Sequence, residues 1–502
     1  MSHPMYQRPL EPLVEQNPFR QILPIDQQIP FFATDKSELP QPVMPAYPEW
    51  VDLYWHAWEI AWSHIRKPGV SSGLPSSYVD SMFNGHLFMW DTAMISRFTV
   101  YARRTWHCMG GLDNFYARQH DDGFICREID PETGKDFFYP FDPNGAGPNI
   151  FAWAEWGYFR QTGDEARLRQ VFGPLLAYHR WCRANRTWPN GLYWATGLSS
   201  AMDNQPRVPD SNRHHRHWTW VDATMQASVN CEMLEQMANV LGEEKYAAEL
   251  SQERTMLIER ANQVLWNSEA QFYQDVDANG RFSQVKTIGA YWALVDKEMV
   301  PEKRLQTFVQ HLRDAWSFNL PHRIPSQSAD SDGYNAETGN YWRGAVWPAA
   351  TYMVLRGLRQ MKQYKLAYQI ARNHLEMVTA VYKDTGTFWE NYAPETAVPG
   401  SPALQDFVGT TGLTPITILL EHIIGIRADW PQRRIFWERL LESDQPYGVK
   451  NYPLGPTGTV DLIGDANKIT IKTDTPFTLV MQDAEQSLQT AVPAGTTEID
   501  LS

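Results

Sequence analysis

Two carboxyl groups lie in surroundings that suit proton transfer. One is Asp203, in Gly197-Leu-Ser-Ser-Ala-Met-Asp203-Asn-Gln-Pro-Arg207. The other is Glu390, in Phe388-Trp389-Glu390-Asn391-Tyr392. Gly197, Ser199, Ser200 and Ala201 allow close backbone approach, and Pro206 ends the turn. Asp203 is therefore neither at a clear helix cap nor in a solvated charge run. Arg207 could hold a carboxyl group or a substrate hydroxyl, or it could pair with Asp203 as plain loop structure. For Asp203 taken alone the two readings weigh equally. Glu390, flanked by aromatic rings, should be partly desolvated and its pKa raised unless Arg343 or another cation offsets this. Its structural alternative is a buried ion pair. A carboxylic acid that keeps its proton, facing a carboxylate that stays ionised, is the pair that general acid–base chemistry requires.

Three further stretches could complete such a site. In Phe88-Met-Trp90-Asp91-Thr, Asp91 either caps a helix or accepts sugar hydroxyls beside the Trp90 indole. In Gln119-His120-Asp121-Asp122-Gly123, Asp-Gly marks a turn, and Gln119 and His120 before it could point into a cleft. In Tyr341-Trp342-Arg343-Gly344-Ala345-Val346-Trp347-Pro348, Pro348 suits a helix start. Arg343 between two indoles is poorly placed for a plain surface charge, and its fork could bind a carboxylate or several hydroxyls.

Positioning residues so far apart is the task of a largely helical chain. Trp50, Tyr54, Trp58 and Trp62 fall on one face at four-residue spacing from Pro48, and Lys67-Pro-Gly stops that helix. Helical periodicity recurs at 89–104, 109–118, 149–162, 164–186, 219–241, 243–266, 284–296, 301–317, 345–360, 363–382 and 411–425. Asp164 is an N-cap candidate ahead of the stripe Leu168, Val171, Phe172 and Leu175, and Leu366, Ile370 and Met377 make a later stripe. Roughly twelve helices in six hairpins can close into an (α/α)6 toroid. The long aromatic loops 67–86, 119–148, 187–218, 318–344 and 383–410 could open on one face as a cleft. Residues 1–46, rich in Pro and Gln, read as an extended arm, and 47–440 as the barrel. From 441 to 502 the period drops to two: Thr459-Val-Asp-Leu-Ile, Lys468-Ile-Thr-Ile-Lys, Phe477-Thr-Leu-Val-Met and Thr496-Thr-Glu-Ile-Asp-Leu read as strands of a small β appendage.

Bulk properties narrow the function classes. With 43% hydrophobic and 20% charged residues the chain is globular rather than disordered. A net charge of −14 lacks the basic footprint of a nucleic-acid binder. Aromatic residues reach 13%, with 21 Trp, and indoles suit the apolar faces of sugar rings as well as helix packing. Cys108, Cys126, Cys182 and Cys231 show no metal or redox spacing and are expected as buried free thiols. The N-terminal stretch has no apolar run after a basic start, and no stretch reaches transmembrane length, so a soluble cytoplasmic protein without a membrane partner is expected. No oligomeric state follows from the sequence.

The motifs together resemble one family. Tyr341-Trp-Arg-Gly-x-Val-Trp-Pro348, then Glu390-x-Tyr392, then Phe407-Val-Gly-Thr-Thr-Gly-Leu ahead of a helix, is similar to the trehalase-like (α/α)6 glycosidases. The match is closest to glycoside hydrolase family 63 and its bacterial relatives, which include mannosylglycerate and glucosylglycerate hydrolases. Trp90-Asp91 and Met202-Asp203-Asn-x-Pro-Arg207 match in the same order, so the resemblance spans roughly residues 85–425. Two departures stand out: the family segment before Glu390 is often shorter and more acidic, and Thr410 stands where relatives commonly carry Trp.

The resemblance implies an inverting α-glycosidase acting on a small carbohydrate. Asp203 falls on the general-acid position and Glu390 on the general-base position, with the two carboxyl groups roughly 6.5–9.5 Å apart to admit a water. Trp90, Asp91, Gln119, Arg207, Tyr341, Trp342, Arg343 and Trp347 fall to the −1 subsite, and Asp222 more to structure than to binding. No cofactor is needed and no metal is expected, since no Asp-rich calcium loop is present. A charged aglycone such as glycerate would want Arg213 or Arg216. Two rival readings remain: an (α/α)6 sugar lyase or isomerase working through His120, His214, His215 or His217, and a non-catalytic carbohydrate-binding protein.

Overall fold

The computed structural model describes residues 9–22, 28–482 and 487–501. The parts of the predicted arm at 1–8 and 23–27 lie outside the described residues. The helix Pro48–Ser63 starts on its proline and buries Trp50, Tyr54, Trp58 and Trp62 along one face. Asp164 caps Glu165–Asn185, its carboxylate accepting from the Arg167 N–H at 3.0 Å. Leu168, Val171, Phe172 and Leu175 line that helix's buried side. Along Tyr364–Thr385, Leu366 and Ile370 are buried as expected, but Met377 is only half-buried, and Leu375 and Val378 take the core positions on that turn.

The remaining predicted helices are Met89–Thr99, Gly110–Ala117, Phe151–Thr162, Val221–Leu241, Glu244–Val264, Glu302–Gln310 and Pro348–Gln360. Two predicted helices take other forms. Residues Ile288–Leu294 wind as a 3-10 helix and Thr414–Ile424 as a π-helix ended by Gly425 at φ 89°. Packing links the elements in a series. Met89–Thr99 lies on Phe151–Thr162, which lies on Val221–Leu241, then Ile288–Leu294, then Pro348–Gln360, then Thr411–Ile424, which returns to Met89–Thr99. Met89–Thr99 and Thr414–Ile424 are buried at every position, as a helix surrounded by protein must be. Arg97 there lies 5.0 Å over the Trp153 ring and donates to the Tyr352 hydroxyl. Around this series sit Glu165–Asn185, Glu244–Val264, Tyr364–Thr385 and Pro48–Ser63.

The β region begins earlier than the sequence period suggests. Ile426–Asp429 and Arg434–Glu438 already pair as strands, and Arg434–Glu438 runs parallel to Phe477–Gln482. Their weak alternation has a cause: Arg427 and Arg359 both reach Glu438, so charged residues there stand among buried ones. A five-stranded sheet runs in the order Gln41–Val43, Tyr447–Leu454, Gly458–Gly464, Lys468–Thr473 and Gly495–Asp500. The arm therefore supplies an edge strand, Gln41–Val43, to the C-terminal sheet. Among the described residues no helix is long and apolar enough to cross a membrane. The four cysteines are free and buried.

Candidate active site

A cavity of about 930 Å³ gathers residues from five separate stretches of the chain. Trp90, Asp91, Asp203, Tyr341, Trp342, Trp347 and Thr410 line it. Each is held by local structure that its sequence explains.

Asp203 follows the 3-10 turn Leu198–Ser200 and the left-handed Ala201 at φ 60°. A Cβ on Gly197 would stand 2.5 Å from the Asp203 carbonyl oxygen, so only glycine lets the turn close this tightly. The next two residues tie the loop down. Asn204 donates to the Asn340 carbonyl at 2.9 Å and accepts from the Trp342 N–H at 2.9 Å. Gln205 donates to the Ser326 carbonyl at 2.7 Å. Asp203 is thus locked to the stretch that carries Tyr341 and Trp342.

In that stretch Asn340 and Tyr341 take positive φ, 34° and 66°. Trp342 stacks flat on Trp347, with ring centroids 4.1 Å apart and planes within 2°. The Trp347 indole N–H donates back to the Tyr341 carbonyl at 3.2 Å. Val346 and Tyr392 exchange backbone bonds, which seats the Glu390 segment beside the tryptophans. Glu390 accepts from the Tyr341 hydroxyl at 2.9 Å and from the Leu404 N–H at 3.1 Å. It stands behind Tyr341 rather than on the cavity lining, and is 2% exposed. Asp91 lies in the first turn of Met89–Thr99, whose N-cap residue is Phe88, so it does not act as the cap.

Three carboxyl groups share this region, Asp203 acting on Glu390 and both of them on Asp91. Burial pushes Asp203 up to about 6, against a partial offset from Arg127. Burial pushes Glu390 to about 7, with the Tyr341 and Leu404 donors pulling down and the Asp203 charge pushing up. Burial and the charge of Glu390 raise Asp91 to about 8. Such clustering of raised carboxyl groups at a cavity is the electrostatic mark of acid–base sites.

Three predicted ligands are placed elsewhere. Gln119 donates to the Gly123 and Pro174 carbonyls and accepts from Asn17 at 2.9 Å, which pins the N-terminal arm. Arg207 is 1% exposed and bonds Asp222 at 2.6 Å, lies 3.6 Å from Asp275 and sits 4.2 Å from the Trp220 ring centroid. It therefore pairs with neither Asp203 nor the cavity, and Asp222 is its structural partner. Arg343 is off the lining and donates to the Asn204 carbonyl at 3.3 Å, so it does not offset Glu390. His120 is bonded to Asp136 at 2.6 Å, while His214 does reach the lining. Of the two arginines suited to a charged aglycone, Arg213 lines the cavity, whereas Arg216 is exposed and donates to the Asp210 carbonyl.

The sequence reading missed Arg127, Glu128, Phe88, Phe137 and Phe138, which also line the cavity. Their signal was the charged pair Arg127-Glu128 directly after a buried cysteine, in a stretch otherwise read as loop. Ligand atoms of the buried residues His179, Cys231 and Glu253 lie within 4.8 Å of one another, as a metal would need. Glu253 is already bonded to His179 at 3.1 Å and Arg183 at 2.7 Å, which accounts for the cluster as an interior hydrogen-bond network.

A helical scaffold that turns carboxyl groups and stacked indoles onto one deep cavity is of the class of glycoside hydrolases. The sequence profile of the mannosylglycerate hydrolase MGH1-like glycoside hydrolase domain matches residues 113–403, more than half of the chain. The chain belongs to that family and is a glycoside hydrolase. An uncharacterized protein of Borreliella burgdorferi is 25% identical over 72% of this chain and 74% of its own length. The mannosylglycerate hydrolase of Rubrobacter radiotolerans is 28% identical over 33% of this chain, and the match spans only 36% of that enzyme. Among solved structures, the family 63 mannosylglycerate hydrolase of Thermus thermophilus, in complex with Tris and D-glycerate, superposes with TM-score 0.59. It is 22% identical and covers 73% of this chain and 99% of its own, a likeness of fold.

Proposed function

We propose that the protein is an inverting α-glycoside hydrolase of small α-linked glycosides, with Asp203 as general acid and Glu390 as general base. One observation carries this: Asp203 and the Tyr341 that donates to Glu390 at 2.9 Å, far apart in sequence, line one indole-walled cavity. Inversion needs a proton delivered to the leaving oxygen and a water activated on the opposite face of the ring. Asp203 lines the cavity and among the described residues bonds no other side chain, so its proton is free for the glycosidic oxygen. Glu390 is oriented by two fixed donors, and the attacking water would reach it beside the Tyr341 hydroxyl. Trp90, Trp342 and Trp347 would stack the −1 sugar, and Asp91 and Tyr341 would bind its hydroxyls.

Burial raises both Asp203 and Glu390, to about 6 and about 7, so both lie close to neutral. A bound sugar would remove water chiefly from Asp203, which lines the cavity, and less from Glu390, which lies behind it, and so favour a protonated Asp203. The two donors to Glu390 favour its ionised form. The closed helix series is read as an (α/α)6 toroid over about 47–425. The β region is taken to start at Ile426 rather than 441, because Ile426–Asp429 already pairs within it.

The test is a panel of nitrophenyl α-glycosides and natural disaccharides, with the first-formed anomer read by NMR. Release of the β-anomer from an α-glycoside supports the proposal. Release of the α-anomer, an unsaturated or epimerised product, or binding without cleavage across the panel would each sink it.

A further inference from the structure

The cavity of about 930 Å³ carries three phenylalanines, Phe88, Phe137 and Phe138, on its lining. Leu87–Phe88, Glu128–Asp130 and Lys135–Asp136 form a three-stranded sheet in which Phe88 stands opposite Glu128, and Ile129 opposite Asp136. The Phe137 N–H donates to the Glu128 carbonyl at 3.0 Å, which extends the sheet by one residue. Phe88 on one edge strand and Phe137 and Phe138 at the other edge all line the cavity, the last two rings packing 5.0 Å apart, and Arg127 lies 4.7 Å over the Phe138 ring.

Beyond that wall the chain exposes aromatic rings on a rigid support. Phe137, Tyr139 and Phe141 are 58%, 71% and 61% exposed. Tyr139 and Phe141 stack with ring planes within 2° and centroids 5.3 Å apart. Three exposed rings so close together are not what a surface without a partner carries. The loop beneath them is pinned. Arg186 donates to the Asp142 carbonyl at 2.9 Å, Thr196 to the Asn144 side chain at 2.7 Å, and the Gly145 N–H to the Asp142 carbonyl at 2.9 Å. A Cβ on Gly145 would stand 2.6 Å from the Tyr139 carbonyl oxygen, so glycine is needed for this turn. Thr196 also begins the segment that leads to Asp203, so the aromatic rim and Asp203 hang on one support.

We infer that the wall Phe88–Phe137–Phe138 and its rim Tyr139–Phe141 form a subsite for sugar rings beyond the scissile bond, so that the preferred substrate carries a glycosyl aglycone rather than a small acid alone. A sugar is favoured over a purely apolar group because polar Asn84, Asn144 and Arg213 line the same cavity as the rings. Pyranose rings present C–H faces to aromatic rings and hydroxyls to amides and guanidinium groups at the same time. This inference rests on the glycosidase reading above and extends it to the leaving-group side.

The experiment compares methyl α-glucoside and methyl α-mannoside with α-linked trisaccharides of the same sugars. It uses the wild type, Phe137→Ala and the double variant Tyr139→Ala/Phe141→Ala, with hydrolysis and calorimetric binding both read. The wild type should prefer a trisaccharide. Each variant should lose about tenfold in kcat/KM on it, the scale of one aromatic stacking contact, and less than about twofold on the methyl glycoside. Equal losses on both substrates, no preference for the longer one, a stronger preference for an aryl glycoside, or loss only of self-association would each overturn the subsite. Trisaccharide binding that the variants weaken, without any hydrolysis by the wild type, would keep the subsite and reject the glycosidase reading.

Discussion

The Tyr341 hydroxyl donates to the Glu390 carboxylate over 2.9 Å, from a residue whose backbone is held at φ 66°. A tyrosine in that conformation is uncommon, and the Trp347 indole bond to its carbonyl helps to keep it there. The bond stabilises the ionised form of Glu390. Tyr341→Phe should therefore raise the apparent pKa of the limb governed by Glu390 and lower kcat/KM about tenfold at neutral pH, as the loss of one hydrogen bond to a charged group does. A pH–rate profile that keeps its acidic limb where the wild type has it would mean that this hydroxyl does not govern the base.

The acid and base roles can be separated by leaving group. Asp203→Asn removes the proton donor, so hydrolysis of a natural disaccharide should fall by about 10²–10⁴-fold, with a smaller loss on a nitrophenyl glycoside whose leaving group needs no proton. Glu390→Gln removes water activation, and both substrates should lose alike. Thermal unfolding should show both variants folded. If the two losses do not differ between substrates, the assignment of Asp203 as the acid fails.

The raised carboxyl groups also make the fold sensitive to alkali. Asp91 moves from 3.8 to about 8, Asp203 from 3.8 to about 6, and Glu390 from 4.5 to about 7. Each is raised in the folded state, so each contributes stability that is whole below about pH 4 and is lost as pH rises through 6 to 8. Asp91→Asn, which stays neutral, should match the wild type in Tm near pH 4 and exceed it near pH 8.5. The gap should open across that interval, with Glu390→Gln following the same course more weakly. A constant gap across the range would show that these carboxyl groups are not held by burial in the way described.

Much of this architecture is legible in the chain. The face Trp50, Tyr54, Trp58 and Trp62 and the cap Asp164 behave as their spacing predicts, because each depends only on neighbours within a turn or two. Tyr341, Trp342 and Trp347 can be picked out because an arginine and three aromatics crowded into eight residues have few other uses. What fails are inferences about partners. Arg207 lies four residues from Asp203, yet its partners Asp222 and Asp275 come from a helix start and a distant loop. Gln119 reads as facing a cleft, but the arm residue that claims it, Asn17, lies 102 positions away. The Phe88–Phe137–Phe138 wall is invisible in the sequence because it depends on the pairing of very short strands, which carry too few residues to show a period.

Arg207 offers a sharp check on that distinction. Its guanidinium is buried between Asp222 and Asp275 and under the Trp220 ring, and the Arg207 carbonyl accepts from the Ser283 hydroxyl. Arg207→Ala would leave two buried carboxylates without their counter-charge, at a cost of about 3–5 kcal/mol. Arg207→Met with Asp222→Leu removes one of the two carboxylates along with the arginine, leaving only Asp275, and should recover part of that loss. If Arg207 instead bound the sugar, the alanine variant would raise KM with little change in Tm. The structural role predicts the opposite split: Tm falls in the single variant and partly returns in the double one, and activity measured well below the transition follows the position of the Asp203 loop rather than substrate affinity.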